Sequence, residues 1–395
     1  MLTNAFPAYF NDVNSRMFLY NIPKSIADNG VDMLVVCPFF KNSIRTKENY
    51  EGVEIRRFKY FFTKIQNLTE LGSIPDAIKT IYGKIQLPFF CFFYLLKALV
   101  YVRKVDIIHA QWILPSGFIG VILKKIYHKP LVVTTRGSEL AIAYNNRFWE
   151  IFLKYVIKNS DYITSNNVKH LEIIKSLIPN VNNISFIPNG LDYTMYKKRN
   201  KTFIRKKLHL KLDHKIILYV GHLFPVKNVD FLLRSFSKIH DKYTNSRLII
   251  IGDGYLKDEL VLLASNLAIV PFVSFLGNLE PKNVALYMNA ADVLALVSKS
   301  EGRPNVVIEA MASGLPVITA NVGDVSSFIE NRKNGFIINP DSEDFLNKVS
   351  KIFNSRSNFI SLNALKTVRK INPSWKEAGL AYYKLYLLLI EKNET

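Results

Sequence analysis

The sequence predicts an α/β protein made of two doubly wound domains, each with a parallel sheet covered by helices on both faces. Short apolar runs typical of buried strands alternate with helical stretches along the whole chain, and this alternation is characteristic of parallel sheets. The chain has 395 residues, which is enough for two domains that each bury a core.

The apolar runs define the expected strands and, between them, the expected domain boundary. We predict strands at 33–37, 106–110, 131–135, 161–165 and 184–188 in the first half, and at 215–220, 247–251, 273–276, 292–297, 316–319 and 335–338 in the second. The turn I-P-N-G-L-D and the charged string K-K-R-N-K lie between the two sets. We therefore expect a first domain at 1–189, a linker at 190–206, a second domain at 207–373 and a final helix within 374–395.

Composition excludes several classes of protein. Hydrophobic residues make up 49% of the chain, far more than in a disordered protein. The two cysteines, Cys37 and Cys91, cannot form a disulfide framework, and no cysteine or histidine spacing is typical of a metal site. The N-terminus lacks a basic start followed by a long apolar stretch, so we expect no signal peptide and a cytoplasmic protein.

The formal net charge of +20 is compatible with nucleic acid, an anionic membrane or a phosphorylated substrate. No nucleic-acid-binding motif is present, so we expect no nucleic-acid partner. The apolar segment 87–102, followed by Arg103 and Lys104, has two interpretations. It is either a buried helix of the first domain or a site of peripheral attachment to the anionic inner face of the cell membrane, and we expect it to be too short to span a bilayer.

The string E-G-R-P-N-V-V-I-E-A-M-A-S-G-L-P at 301–316 carries the first candidate site. A predicted strand at 292–297 leads through a polar loop into a helix at 306–312 that stops at Gly314. The backbone N–H groups and positive dipole end of such a helix suit an anionic ligand. Glu301 lies on the loop and Glu309 about one turn into the helix, so both carboxylates are expected to face this crevice.

With Val317 added, this string resembles the signature of the retaining, nucleotide-sugar-dependent glycosyltransferases of family 4. Collinear segments extend the resemblance over nearly the whole chain: D-I-I-H-A-Q-W at 106–112, K-P-L-V-V-T-T-R-G-S-E-L at 129–140, I-P-N-G-L-D at 187–192, V-G-H-L-F-P-V-K-N at 220–228, I-I-I-G-D-G at 249–254, V-S-F-L-G-N-L at 273–279 and N-G-F-I-I-N-P at 334–340. It implies the GT-B fold, two Rossmann-like doubly wound domains facing a central cleft, with the final helix crossing back onto the first domain. The strings R-G-S-E and A-Q-W-I-L-P-S-G resemble the subset that includes teichuronic acid glycosyltransferases.

The resemblance implies transfer of a sugar, with retention of configuration, from a nucleoside-diphosphate donor to a glycan or lipid-linked acceptor in cell-surface polysaccharide synthesis. It assigns Lys227 to the diphosphate, Glu309 to the ribose hydroxyls and Glu301 to the donor sugar. Backbone N–H groups of Asn305, Val306 and Val307 are expected to hold sugar or phosphate oxygens. No cofactor or metal is expected, since the chain has no D-x-D motif and the family uses cationic side chains and helix dipoles instead.

Some positions depart from the family pattern. His222 stands where the family usually has arginine, and Arg136 stands where many relatives have histidine. Arg136 cannot shuttle protons, but it can stabilise phosphate or sugar oxygens. His109 directly follows a strand and is either a site residue or a satisfied structural histidine. The start has no glycine-rich loop, so either a shortened strand and residues 11–15 replace it, or the true start lies upstream.

Two other functions remain open at this stage. A catalytically silent protein of the same fold would bind sugar nucleotides or glycans without turnover. A dinucleotide-dependent oxidoreductase would use G-D-G-Y-L-K at 252–257 as part of a glycine fingerprint, although the third glycine is absent.

Overall fold

The structure is a computed structural model that describes residues 1–8, 17–40, 43, 45–66, 68–69, 74–137, 139–140, 146–354 and 358–394. The chain divides into two compact units, Met1–Gly190 with Pro373–Thr395, and Leu191–Asn372. Each unit contains its own mainly parallel sheet with helices packed on it. The predicted fold class, two α/β parallel-sheet domains, is confirmed. The segment 11–15, expected to replace a glycine-rich loop, lies outside the described residues.

The first unit contains an eight-stranded sheet in the order β3-β4-β2-β1-β5-β6-β7-β8. Its strands are β1 (Leu2–Thr3), β2 (Met33–Pro38), β3 (Lys47–Tyr50), β4 (Val53–Phe58), β5 (Ile108–Gln111), β6 (Leu131–Thr135), β7 (Tyr162–Ser165) and β8 (Ile184–Phe186). All neighbours are parallel except β3 and β4, which form an antiparallel hairpin. The prediction missed β3 and β4, and it anticipated β1 only as a possible shortened first strand, which here is two residues long. The hairpin turns through Glu51 and Gly52, both with positive φ, a turn that usually shows the sequence N-G or D-G.

The second unit contains a six-stranded parallel sheet in the order β11-β10-β9-β12-β13-β14. Its strands are β9 (Lys215–Val220), β10 (Ser246–Ile251), β11 (Val273–Phe275), β12 (Val293–Leu296), β13 (Val317–Ala320) and β14 (Phe336–Ile338). All six were predicted to within one or two residues, because strands buried on both faces are continuous apolar runs.

Helices cover both sheets. Those of the first unit are α1 (Met17–Ala27), α2 (Ile74–Ala77), α3 (Ile81–Val102), α4 (Phe118–Tyr127), α5 (Arg147–Asn159) and α6 (Val168–Leu177). Those of the second are α7 (Lys201–Lys207), α8 (Val229–Lys242), α9 (Lys257–Asn266), α10 (Pro281–Ala290), α11 (Asn305–Ala312), α12 (Ser342–Asn354) and α13 (Asn358–Ile371), and α14 (Trp375–Glu394) returns to the first.

Each sheet buries both of its faces, as successive side chains on a strand point to opposite sides. On β2, Val35 and Val36 enter two different hydrophobic clusters. On β9, Ile217 and Leu218 do the same.

The segment expected to link the domains folds as part of the second unit from Leu191 onward. Leu191 and Tyr196 are buried in that unit's core. Arg205, on α7, donates a 2.8 Å hydrogen bond to the carbonyl oxygen of Ala290 and forms a 2.9 Å ion pair with Asp292. The charged sequence of this segment led to the prediction of a linker, but the buried Arg205 anchors the segment to the second unit.

The apolar segment 87–102 is part of a longer helix, α3, which begins at Ile81 and has 22 residues. The expectation that this segment is too short to span a bilayer is wrong. Among the described residues, α3 is the one helix that is long and apolar enough to cross a membrane, judged by length and composition alone. Pro88 lies inside the helix without ending it. One side of α3 packs into the core of the first unit, where Phe90 and Tyr94 are fully buried.

The final helix, α14, packs closely on α1 within the first unit. A Cβ added at Gly379 would lie 2.0 Å from the carbonyl oxygen of Ser25, so only glycine permits this approach. Tyr386 on the same helix reaches His109 on β5.

We expect Gly379→Ala to destabilise the protein by up to about 2 kcal/mol. Alanine favours a helix over glycine by about 1 kcal/mol, but overpacking at a close contact typically costs about 1–3 kcal/mol and should outweigh this gain. Urea unfolding measures the difference. Ala381→Gly, at an exposed position of α14, reports the propensity alone and should cost about 1 kcal/mol. A Gly379→Ala variant more stable than the parent would contradict the close approach of α14 and α1.

Candidate functional site

The candidate site residues of the second unit lie at the carboxyl ends of two neighbouring strands. From β9, the chain continues to β10 on one side, whereas β12 pairs with β9 on the other side. The strand order therefore reverses between β9 and β12. In doubly wound sheets, ligands bind beyond the carboxyl ends of the strands at such a switch point.

Lys227 and Glu301 meet at this switch point. Lys227 follows β9, Glu301 follows β12, and the Lys227 Nζ lies 2.7 Å from the Glu301 Oε1. The Ser298 hydroxyl donates a second 2.7 Å hydrogen bond to the same oxygen. Both charged side chains are largely but not fully buried, at 20% and 13% exposure. The pair is thus shielded enough for a strong interaction and open enough to reach a ligand.

A buried ion pair fixes the loop that carries Glu301. The Arg303 Nη1 lies 2.7 Å from the Asp324 Oδ2, and both side chains are almost inaccessible. The Asp324 backbone N–H donates to the Gly302 carbonyl oxygen at 3.1 Å. Gly323 has φ of +58°, and a Cβ there would lie 1.9 Å from the same oxygen. Because removing one partner of a buried pair leaves an uncompensated charge, Arg303 and Asp324 hold the loop firmly.

The helix α11 begins directly after this loop. Asn305 is its first residue, and Pro304 in the N-cap position supplies no side-chain hydrogen bond to the first turn. The backbone N–H groups at a helix start have no partner within the helix. The Asn305 and Val306 side chains are half-buried, whereas Val307 is fully buried. The Val307 backbone N–H already donates a 3.1 Å hydrogen bond to the Pro304 carbonyl oxygen, so it could bind a ligand oxygen only by sharing or giving up that bond.

Glu309 lies about one turn into α11 and contacts Tyr196. The Tyr196 hydroxyl donates a hydrogen bond to the Glu309 carboxyl. Burial raises the pKa of Glu309 to about 7, although the hydrogen bond from Tyr196 partly opposes this shift. Burial and the neighbouring Glu309 also raise the pKa of Tyr196 well above its ordinary value. Glu309 is thus poised to change charge near neutral pH.

His222 stacks in a row of aromatic rings beside the loop after β9. Its ring centroid lies 5.2 Å from that of Phe224, which in turn stacks on Tyr255 at 5.2 Å. The Tyr219 hydroxyl donates a 3.0 Å hydrogen bond to the His222 carbonyl oxygen. His222 and Lys227 lie in the same connection after β9. The contacts of His222 position its ring by stacking rather than by charge.

The glycines at 252–254 have a packing role. A Cβ at Gly252 would lie 1.9 Å from the carbonyl oxygen of Gly221, and one at Gly254 would lie 2.5 Å from that of Leu223. The loop after β10 therefore needs glycine to approach the loop after β9. This contact accounts for the G-D-G string without a dinucleotide.

In the first unit, Arg136 follows β6 and is held by neutral oxygens. Its Nε donates to the Gln111 side-chain oxygen at 2.9 Å, and its Nη1 donates to the Asn189 side-chain oxygen at 3.0 Å. The Arg136 backbone N–H donates to Glu139 at 3.0 Å. Burial lowers the pKa of Arg136 below its ordinary value, but an arginine stays protonated in proteins. The guanidinium is thus oriented while its charge is only partly offset by Glu139.

His109 lies inside the first unit and is only 2% exposed. Gln111 donates to its Nε2 at 3.1 Å, Thr134 contacts the same nitrogen at 2.7 Å, and the Tyr386 hydroxyl contacts its Nδ1. Because the Gln111 amide nitrogen can only donate, His109 Nε2 accepts this bond, and the proton of the neutral ring is on Nδ1. Burial, followed by the nearby N-terminus and Arg136, lowers the pKa of His109 well below its ordinary value. This placement favours the structural interpretation of His109: it orients Gln111, which in turn orients Arg136.

The structure thus brings Lys227 and Glu301 into contact and places Glu309 on the adjoining helix, while Arg136 and His109 share a network in the first unit. Sequence reasoning missed several supporting residues: Gln111, Asn189, Tyr196, Arg303 and Asp324. Gln111 and Asn189 each directly follow a predicted strand, 106–110 and 184–188, which is a usable signal. Within the described part of the chain, no group of three or more His, Cys, Asp or Glu residues could hold a metal ion.

Two family models together match most of the chain. The model described as Glycosyltransferase Family 4 matches residues 17–194, and the model described as Glycosyl transferases group 1 matches residues 200–367. The boundary between them falls close to the division between the two structural units.

Known proteins with similar sequences include two from bacilli. An N-acetyl-alpha-D-glucosaminyl L-malate synthase of Bacillus anthracis is 26% identical over 60% of this chain and 61% of its own length. The putative teichuronic acid biosynthesis glycosyltransferase TuaC of Bacillus subtilis is 29% identical over 61% of this chain and 59% of its own length. The matched part of the chain thus spans about three fifths of each relative.

The crystal structure of the Anabaena protein HepE in complex with UDP is similar in fold. It superposes with a TM-score of 0.77 at 18% sequence identity, covering 97% of this chain and 98% of HepE. At this identity the likeness concerns the fold, which is GT-B.

We expect the stability of the unliganded protein to depend on pH through Glu309. Its folded-state pKa of about 7 exceeds the ordinary value of 4.5. The protonated form therefore stabilises the fold at acidic pH, and this contribution is lost as the pH rises through about 7. Relative to Glu309→Gln, the free energy of unfolding of the parent should fall by up to about 3 kcal/mol between about pH 5 and about pH 8. Urea unfolding of both proteins across this range measures it, and parallel profiles would contradict the raised pKa.

Proposed function

Because the chain belongs to the group 1 glycosyltransferases, we propose that it transfers a sugar from a nucleoside-diphosphate donor to a glycan or lipid-linked acceptor. The contact between Lys227 and Glu301 at the switch point of the second sheet carries this proposal. A cation and a carboxylate side by side suit a substrate with an anionic diphosphate and a hydroxyl-rich sugar. Membership in the family removes the support for a dinucleotide-dependent oxidoreductase.

Each charged residue has a separate task in the proposed reaction. Lys227 stabilises the negative charge that grows on the diphosphate as the bond to the sugar breaks. The N–H groups at the start of α11 bind further oxygens of the donor. Glu309 accepts hydrogen bonds from the ribose hydroxyls once its proton is lost, and Glu301 orients the sugar. In the first unit, Arg136 binds phosphate or sugar oxygens of the substrate that this unit contacts.

We propose that the reaction proceeds with retention of configuration. In a front-face reaction of this kind, the leaving diphosphate takes the proton from the acceptor hydroxyl as the new glycosidic bond forms on the same face. The buried, doubly engaged His109 then has no proton-transfer role, and the protein's contribution is to orient the substrates and neutralise charge. The anomeric configuration of the product, read by NMR, decides between retention and inversion.

We also propose that the product is part of a cell-surface polysaccharide and that the protein works at the cytoplasmic side of the membrane. The sequence similarity to TuaC supports the first point. Because the relative from Bacillus anthracis is named for a malate acceptor instead, an acceptor screen should include small hydroxy acids beside lipid-linked glycans.

We expect Lys227→Ala to weaken the binding of a nucleoside diphosphate while leaving the nucleoside alone unaffected. A hydrogen bond to a charged group contributes about 1.5–3 kcal/mol, so the dissociation constant should rise about ten- to a hundredfold. Calorimetry with UDP, GDP and ADP and with the matching nucleosides measures this, and a labelled-sugar transfer assay should show a similar or larger loss of turnover. Lys227→Arg should recover part of the affinity.

Lys238→Ala is a suitable control, because this lysine is exposed on α8 in the same unit. Lys238→Ala should leave the dissociation constants of the nucleoside diphosphate and the nucleoside unchanged. Equal weakening of nucleoside and diphosphate by Lys227→Ala would show an effect on folding. Tight donor binding without transfer to any acceptor fraction would instead favour a catalytically silent binding protein.

We expect sugar transfer to survive treatment with EDTA. Mg²⁺ and Mn²⁺ are held by oxygen ligands, commonly carboxylates, and in the proposed reaction Lys227 and the start of α11 neutralise the diphosphate instead. The turnover rate is measured at saturating donor with and without the chelator. A loss of about tenfold or more that Mg²⁺ or Mn²⁺ restores, and salt of equal ionic strength does not, would overturn the metal-free reaction.

A further inference from the structure

The helix α3 has two apolar faces, and the described part of the chain buries one of them. Gly83, Gln86, Phe90, Tyr94, Ala98 and Val102 are buried. On the opposite side, exposed apolar side chains recur every three or four residues: Tyr82, Ile85, Phe89, Phe92, Leu96 and Val100, here called the α3 outer face. An ordinary surface helix is apolar on its inner side and polar on its outer side. The α3 outer face is therefore the exception to explain.

The α3 outer face is long and well exposed. Tyr82 is 69% exposed, Phe92 56% and Val100 64%. From Tyr82 to Val100 it extends about 27 Å along the helix axis. Single exposed apolar residues are common, but a contiguous patch of this kind marks an interaction surface.

The helices beside α3 also carry exposed apolar side chains. α4 packs against α3, and α5 packs against α4. Ile126 on α4 is 54% exposed, and Phe148 and Ile151 on α5 are also largely exposed. Exposed apolar side chains therefore also occur on the helices that share the core cluster of α3.

Basic residues predominate in the chain segments that form α3 and α4. The segment 77–105 contains five lysines and arginines and no acidic residue, and 118–129 contains three lysines and no acidic residue. Lys84 and Lys104 are exposed near the two ends of α3. An apolar strip flanked by cations matches an anionic bilayer, whose acyl region accepts the rings while its headgroups attract the lysines. A second copy of the chain would instead bring like charges together.

We propose that the α3 outer face docks the protein onto the surface of an anionic lipid bilayer. The helix lies in the plane of the headgroups, because its inner face, with Phe90 and Tyr94, belongs to the core of the first unit. This inference deepens the proposed function and rests on it for its purpose, which is access to a lipid-linked acceptor.

The direction of α3 supports that purpose. A crossover helix runs antiparallel to the parallel strands it connects, and α3 ends at Val102, shortly before β5 begins at Ile108. The start of α3 therefore lies towards the carboxyl edge of the first sheet, where Gln111 and Arg136 are hydrogen-bonded. Docking through Tyr82, Ile85 and Phe89 would bring this edge close to the headgroups.

Vesicle sedimentation tests the proposal on the full-length protein, without donor or acceptor. The probes are vesicles of phosphatidylcholine alone and of phosphatidylcholine with phosphatidylglycerol. We expect binding to the anionic vesicles, reduced at least about tenfold by the double change Phe92→Gln with Leu96→Gln. Lys84→Gln and Lys104→Gln should each reduce it about fivefold.

The double change Val261→Gln with Leu262→Gln is the matched control, because it removes two exposed apolar side chains from α9 in the second unit. It should leave vesicle binding unchanged. Equal binding of the Phe92/Leu96 variant and the parent would overturn the proposal. The proposal would also be overturned if the parent, unlike the Phe92/Leu96 variant, formed a dimer and did not bind vesicles. Vesicle-bound protein that resists extraction with alkaline carbonate would overturn it as well, because it would indicate a membrane-spanning helix.

Calorimetry with UDP, GDP and ADP separates the two proposals. The Phe92/Leu96 variant should bind nucleoside diphosphate like the parent, which also shows that it is folded. If no nucleotide binds to the parent, the proposed donor function fails while the vesicle result still decides the docking surface.

Discussion

The ion pair between Lys227 and Glu301 depends on the topology of the second sheet. Lys227 follows β9 and Glu301 follows β12, more than seventy positions later. They meet because these two strands are hydrogen-bonded neighbours whose connections leave in opposite directions. Parallel pairing aligns the carboxyl ends, and the reversal of strand order opens space between the loops that follow. The loop after β12, the start of α11 and the stacked ring of His222 are all arranged around this point.

The charged candidate residues of the two units, each taken within its own unit, are held in different ways. Arg303 and Asp324 neutralise each other in a buried pair that serves the loop. Arg136 is oriented mostly by the side-chain oxygens of Gln111 and Asn189, which fix its direction without cancelling its charge. Glu309 is kept near its point of protonation by burial, with Tyr196 as its hydrogen-bond donor. A group oriented by neutral partners keeps its charge for a ligand, whereas a group in an almost inaccessible pair such as Arg303 with Asp324 does not.

The sequence predicted best those features that depend on local pattern. The ranges of β6 and β9 were predicted to the residue, because buried parallel strands are uninterrupted apolar runs. The hairpin of β3 and β4 was missed because its residues are largely polar and charged and its turn is E-G. Lys227, Glu301 and Glu309 could be selected from the family resemblance. Their partners Ser298 and Tyr196, and the engagement of both nitrogens of His109, depend on contacts between distant segments that no local pattern encodes.

The resting contact of Lys227 with Glu301 also bears on how a donor would be bound. In the proposed reaction the diphosphate attracts Lys227 and repels Glu301, so donor binding must exchange one anion for another at the lysine. The exchange costs little if Glu301 retains a partner. Ser298, buried at the end of β12, supplies one, because its hydroxyl already donates to the same Glu301 oxygen. Glu301 can then turn towards hydroxyls of the sugar while Arg303 and Asp324 keep the loop in place. The energy of phosphate binding would thereby be used to orient the carboxylate where bonds change, which is how binding remote from the reacting centre contributes to catalysis.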